Sequence, residues 1–146
     1  MILNVQFGLW QTVVFEYPNR IPYLDVLIHL DAADAVFILG STEPHYTPSK
    51  AYQAVLSKKP IFAVLHEQST VVNILRETNA GKLLSFNGKE GISEIKKTFS
   101  SLFKDFISFK DSFHQETVDQ SGFNKFSAAN VTHQLVQLID QAIKND

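Results

Sequence analysis

Apolar positions along the chain follow two rhythms. Short continuous apolar runs alternate with stretches in which apolar residues recur every three or four positions. The segments "ILNVQFGLW" (2–10) and "TVVFEY" (12–17) read as strands, the first equally as an ordering segment at the domain edge. "PYLDVLIHLDAAD" carries Leu24, Leu27 and Ile28 at helical spacing, and Pro22 suits a helix start. "AVFILGS" is a continuous apolar run closed by Gly40, the pattern of a parallel strand buried on both faces. A helix over 49–58 follows, with Ser49 as N-cap. "PIFAVLH" is a second buried strand. Ser69 or Thr70 caps a third helix over 70–80, and Gly81 stands at its C′ position. "KLLSF" is a short strand and "NGKEG" a turn. Helical spacing resumes from Ile92 to about Phe109, and again over 127–144. The stretch 108–127 is loop-rich.

Alternating β and α units imply a parallel sheet with helices on both faces. The expected fold is α/β, Rossmann-like, three layers deep, with four or five parallel strands. No internal repeat or long linker divides the 146 residues, so one domain over 1–146 is expected.

Composition narrows the function classes. Hydrophobic residues make up 45% of the chain, enough for a core. A net charge of −2 offers no basic field for nucleic acid. Cysteine is absent, which removes disulfide and thiolate chemistry and fits a reducing, cytoplasmic setting. No apolar run approaches the roughly 18 residues of a membrane span, and the N-terminus lacks the layout of a signal peptide.

In open parallel sheets ligands bind beyond the carboxyl ends of the strands. The loop "GSTEPHYTPS" lies there and runs into a helix start, where backbone N–H groups favour an anion. Thr47, Ser49 and Lys50 add two hydroxyls and a cation, which suits a phosphate or pyrophosphate; the bland alternative is an ordinary capped loop. Gln53 lies one turn further on, within reach of a ligand hydroxyl or simply on the helix surface. His45 has no Ser or Cys nucleophile in a recognisable pattern beside it, and the five histidines show no metal-ligand spacing. His66 reads as a polar strand end and His29 as structural. Neither GxGxxG nor GxxxxGK[ST] occurs. Phe99, Phe103, Phe106, Phe109 and Phe113 recur at helical intervals, best read as a helix packed on its own core.

The run "ADAVFILG…TPSKAYQAVLSKKPIFAV" resembles the donor-binding C-terminal half of GT-B glycosyltransferases of the bacterial group 1/family 4 kind. Ala33-Asp34, Pro48-Ser49-Lys50, Tyr52 and Lys59-Pro60 stand at the family's distances. "RIPYLDVLIHLDAAD" is similar to the segment that links a base-contacting loop to the strand, and "FSAANVTHQLVQLIDQAI" to the terminal helix. The resemblance covers residues 20–86 and that tail.

The resemblance implies a nucleotide-sugar donor site. Diphosphate would sit at Thr47, Ser49 and Lys50, ribose at Gln53, with His45 and Glu43 near the sugar and Arg20 and Ile21 near the base. It implies no metal and no cofactor beyond the donor substrate. It implies a longer, two-domain hexosyltransferase of polysaccharide biosynthesis, its acceptor held by an N-terminal domain and its place the cytoplasm, at the inner face of the membrane. The chain departs from the family where Gln53 replaces an acid, where His45 stands in place of a second acid, and where Lys58 replaces a turn glycine. Two alternatives stay open: a nucleotide-sugar 2-epimerase-like domain, and a non-catalytic α/β interaction module with a degenerate donor site.

Overall fold

The computed structural model describes Phe15 and residues 17–144. The strands expected at 2–10 and 12–17 fall outside these residues, apart from Phe15 and Tyr17, which belong to no strand. The described elements are α1 (Tyr23–Ala32), β1 (Val36–Leu39), α2 (Lys50–Leu56), β2 (Ile61–His66), α3 (Thr70–Thr78), β3 (Gly81–Phe86), α4 (Ile92–Asp111) and α5 (Ala128–Lys144). Among the described residues the sheet has three parallel strands in the order β1-β2-β3, where four or five were expected for the chain. Val36 lies opposite Ile61, and Ile61 opposite Gly81.

Strand periodicity divides the core into two layers. Ile38, Ile61, Ala63 and Leu65 face α2 and α3, packing with Ala54, Val55, Val71 and Leu75. Phe62, Val64 and Leu84 point the other way, onto Phe106 and the flanking Phe99 and Phe109 of α4. Two crossovers of one hand, stepping in one direction across the sheet, put their helices on the same face. That is where α2 and α3 lie, and α4 covers the opposite face. Every residue of β2 is buried, as its unbroken apolar run predicts.

β1 differs from its expectation. Among the described residues it has no neighbour on its outer side. Its Val36 N–H donates to the Pro60 carbonyl, and the N–H of Gly40 to the Val64 carbonyl. The backbone groups of Phe37 and Leu39 therefore point to the open edge, and only Ile38 is buried. The apolar run marks a strand; the expected burial on both faces is not met, because burial depends on what lies beside it.

Gly81 is not the C′ residue of α3. Asn79 takes the left-handed conformation that ends the helix, with φ 53°. Gly81 opens β3, where a Cβ would lie 1.9 Å from the Ile61 carbonyl oxygen. The glycine is there so that β3 can approach β2. The stretch after α4 is more than a loop. It holds two 3-10 turns, Gln115–Thr117 and Asn124–Phe126, and buries Val118 and Phe123 against the α2–α3 layer. The Asp119 N–H donates to the Thr78 carbonyl at 2.9 Å, which ties this stretch to the end of α3.

The outer helices are thinly covered. Neither α1 nor α5 has a buried residue. In α5, Val131, Leu135, Leu138 and Ile139 share one face, and each is at least half exposed. His29, read as structural, is exposed on α1.

Candidate functional site

The start of α2 is built on small buried side chains. Pro48, Ala51 and Ala54 are buried, so the helix seats closely on the sheet and turns Lys50 and Gln53 outward. Ser49 does not cap it. Its backbone is already helical, at φ −57° and ψ −28°, and its hydroxyl makes no capping bond. The Ala51 N–H is committed to the Pro48 carbonyl at 2.9 Å, and the Tyr52 N–H to the Ser49 carbonyl. The helix is only seven residues long. The Ala51 and Tyr52 amides are therefore taken up within the chain. Side chains supply the further donors.

Those side chains meet others from before α1. A cleft of about 680 Å³ is lined by Arg20, Ile21, Ser49, Lys50 and Gln53, together with Tyr17, Pro18, Asn19, Tyr23 and Val26. Thus five of the eight residues singled out from the sequence line one cleft, although some thirty positions of chain separate Arg20 from Lys50. A second hollow of about 390 Å³ adjoins it, sharing Val26, Ser49, Lys50 and Gln53 and running along the outer edge of β1 past Tyr46.

Charge in the larger cleft is one-sided. Arg20 and Lys50 are its ionisable cations, and among the described residues no carboxylate lines it. Among the described residues neither makes an ion pair, the two salt bridges being Lys110–Asp111 and Lys125–Glu77. Two uncompensated cations beside a free serine hydroxyl and an amide favour an anionic ligand that also carries hydroxyls. The volume falls in the range of small-molecule sites, about 300–1,000 Å³.

The other three residues lie elsewhere. Thr47 shares a 2.8 Å hydrogen bond with the hydroxyl of Thr70, joining the β1–α2 loop to the start of α3. His45 and Glu43 are exposed and line neither hollow. At the end of β2, His66 is buried; its Nδ1 accepts from the Gln68 N–H at 3.2 Å and its ring stands edge-on to Phe86. Among the described residues no three His, Asp or Glu side chains converge as metal ligands would, and no helix is long and apolar enough to cross a membrane.

Sequence reading passed over Tyr17, Asn19 and Tyr23. The signal was present in "YPNRIPY", where two prolines and an asparagine hold a cation between two tyrosines.

Compared with protein-family models, curated proteins and solved structures, the chain matches none.

Proposed function

We propose that this chain is a nucleotide-sugar binding domain, the donor half of a GT-B-type hexosyltransferase whose acceptor is held by another domain. The parallel α/β sheet supports it, as does the resemblance read in residues 20–86. The observation that carries it is the meeting of Arg20 and Lys50 in a cleft that also presents Ser49 and Gln53 and that no carboxylate lines among the described residues. In this reading Lys50 neutralises the diphosphate, joined by Arg20, which the resemblance alone would place near the base; Ser49 donates to a phosphate oxygen, and the Gln53 amide hydrogen-bonds the ribose hydroxyls. Charge grows on the departing nucleoside diphosphate as the glycosidic bond breaks, so fixed cations there favour the transition state over the ground state.

Calorimetric titration of the chain with UDP, GDP and their sugars tests the reading. Saturable binding that weakens when Lys50 is replaced supports it. Absence of heat with every nucleotide diphosphate at millimolar concentration refutes it. A second reading, a non-catalytic interaction module, draws on the uncovered apolar faces of α1 and α5; it gains if nucleotides fail to bind.

A further inference from the structure

The β1–α2 loop, residues 41–49, carries Ser49 into the cleft and leads directly to Lys50. Its own hydrogen bonds are short-range. The Tyr46 N–H donates to the Glu43 carbonyl, the Glu43 N–H to the Ser41 hydroxyl, and the Pro48 and Ser49 carbonyls accept from α2. Among the described residues a single hydrogen bond ties the loop to any other element. It is the 2.8 Å bond between the hydroxyls of Thr47 and Thr70, 23 positions apart. The two ends of that bond differ in how firmly they are held. Thr70 opens α3, which buries Val71, Val72, Ile74 and Leu75 in the core. Thr47 precedes α2, which is seven residues long and has no side-chain cap. So short a helix does little to fix its own first turn. Between Thr47 and Lys50 the chain is stiff, because Pro48 is buried with its φ restricted and Ser49 is already helical. A restraint on Thr47 is therefore passed on to Ser49 and Lys50.

We infer that Thr70 is a positioning residue of the anion site: through Thr47 it holds the start of α2, so that Ser49 and Lys50 keep their places in the cleft. The inference rests on the nucleotide reading above and changes the role of one residue in it. Thr47, which the resemblance sets against the diphosphate, lines neither hollow and serves instead as a strut. Thr70 lines neither hollow either, so any effect it has on binding is transmitted.

The test uses the full chain, calorimetry with UDP, and the variants Thr70→Val, Thr70→Ser and Thr47→Val. Thr70→Val keeps the shape and loses the hydroxyl. It should weaken UDP binding severalfold, the scale on which a single hydrogen bond acts. Thr47→Val should match it, the two together should lose little more than either alone, and Thr70→Ser should keep the affinity. In a Lys50→Ala background Thr70→Val should matter less than in the unaltered chain, which a purely structural threonine would not show. Urea midpoints check folding. Unchanged affinity in Thr70→Val overturns the inference. So does a loss in Thr47→Val that Thr70→Val does not share, which would return Thr47 to the diphosphate, or a loss fully additive with that of Lys50→Ala. Hydrogen exchange of the Tyr46 amide without ligand separates the strut from the nucleotide reading. Thr70→Val should speed it severalfold while Ile74 and Leu75 of α3 stay slow. Exchange that does not change overturns the strut, whatever binds. Faster exchange in a chain that binds no nucleotide keeps the strut and sinks the nucleotide reading.

Discussion

Phe37 stacks on Phe62, the ring centroids 5.8 Å apart and the planes 17° from parallel. One ring belongs to the core and the other to the surface, for Phe62 is 1% exposed and Phe37 56%. Phe62 also meets Phe99, Phe103 and Phe106 of α4 at 5.2–5.4 Å. With Val64 and Leu84 it joins the sheet to α4.

That asymmetry sets the first prediction. Phe62→Ala should cost about 3–5 kcal/mol, the usual range for emptying a buried phenylalanine site. Phe37→Ala should cost about 1 kcal/mol, since roughly half of its side chain is already in water. Urea unfolding of the two variants measures both. Equal losses would mean that Phe37 is covered in solution by something beyond the described residues.

Lys58 gives the second. It has φ 54°, a left-handed conformation that costs a side-chain-bearing residue about 1–2 kcal/mol. This is the position at which the resembled family carries a turn glycine. A glycine here would take the same conformation without the strain. Lys58→Gly should therefore raise stability by about 1 kcal/mol, part of the relief being offset by the freer unfolded chain. The urea midpoint should rise with an unchanged slope. Nucleotide affinity, if governed by the cleft residues, should not move.

The same residue shows what the sequence can carry and what it cannot. Local rules placed β2, α3, α4 and α5, because an unbroken apolar run or a 3.6-residue spacing is written within each segment. Gly81 was misassigned because its reason lies on another strand, in the carbonyl of Ile61. β1 was read as fully buried because its neighbours are not written in its own residues. Val118 and Phe123 hid in a polar stretch, as two isolated apolar residues without period. At the site, Lys50 and Gln53 were legible from their place at a helix start. That Arg20 shares their cleft rests on the folding of α1 and could be anticipated only through a family resemblance. The tyrosines beside it follow no period and were missed.

Asp119 supplies a pH dependence. The hydroxyl and backbone N–H of Ser121 hold its carboxylate below the ordinary aspartate pKa, the N–H donating to Oδ1 at 2.8 Å. A folded-state pKa lower than the unfolded one means that the unfolded chain binds the proton first as pH falls. The contribution is therefore complete above the unfolded value, about 4, and is lost as pH drops through the depressed folded value. Unfolding midpoints measured from pH 7 down to pH 2 should fall on the acid side, and Asp119→Asn should flatten part of that fall. Because Asp119 also anchors the stretch to α3 through its own N–H, the asparagine variant keeps the backbone bond and isolates the carboxylate. An identical acid limb in the variant would show that the Ser121 contact does not survive in solution.

Lys50 and Arg20 provide the last prediction, because they approach the cleft from different elements. Lys50 is fixed by α2, whose seat on the sheet is set by Ala51 and Ala54. Arg20 comes from the irregular segment before α1. If both neutralise one diphosphate, Lys50→Ala and Arg20→Ala should each weaken UDP binding by about 1–3 kcal/mol, the scale of a hydrogen bond to a charged group. The double variant should lose less than the sum, since groups sharing one partner couple. Binding by the unaltered chain should also weaken as salt rises, for the cleft is open and its charges are screened. Removal of either cation should shallow that salt dependence. A Lys50→Ala variant whose affinity and salt slope match those of the unaltered chain would exclude Lys50 from the anion site, while loss confined to Arg20→Ala would move the diphosphate toward the segment before α1 and away from α2.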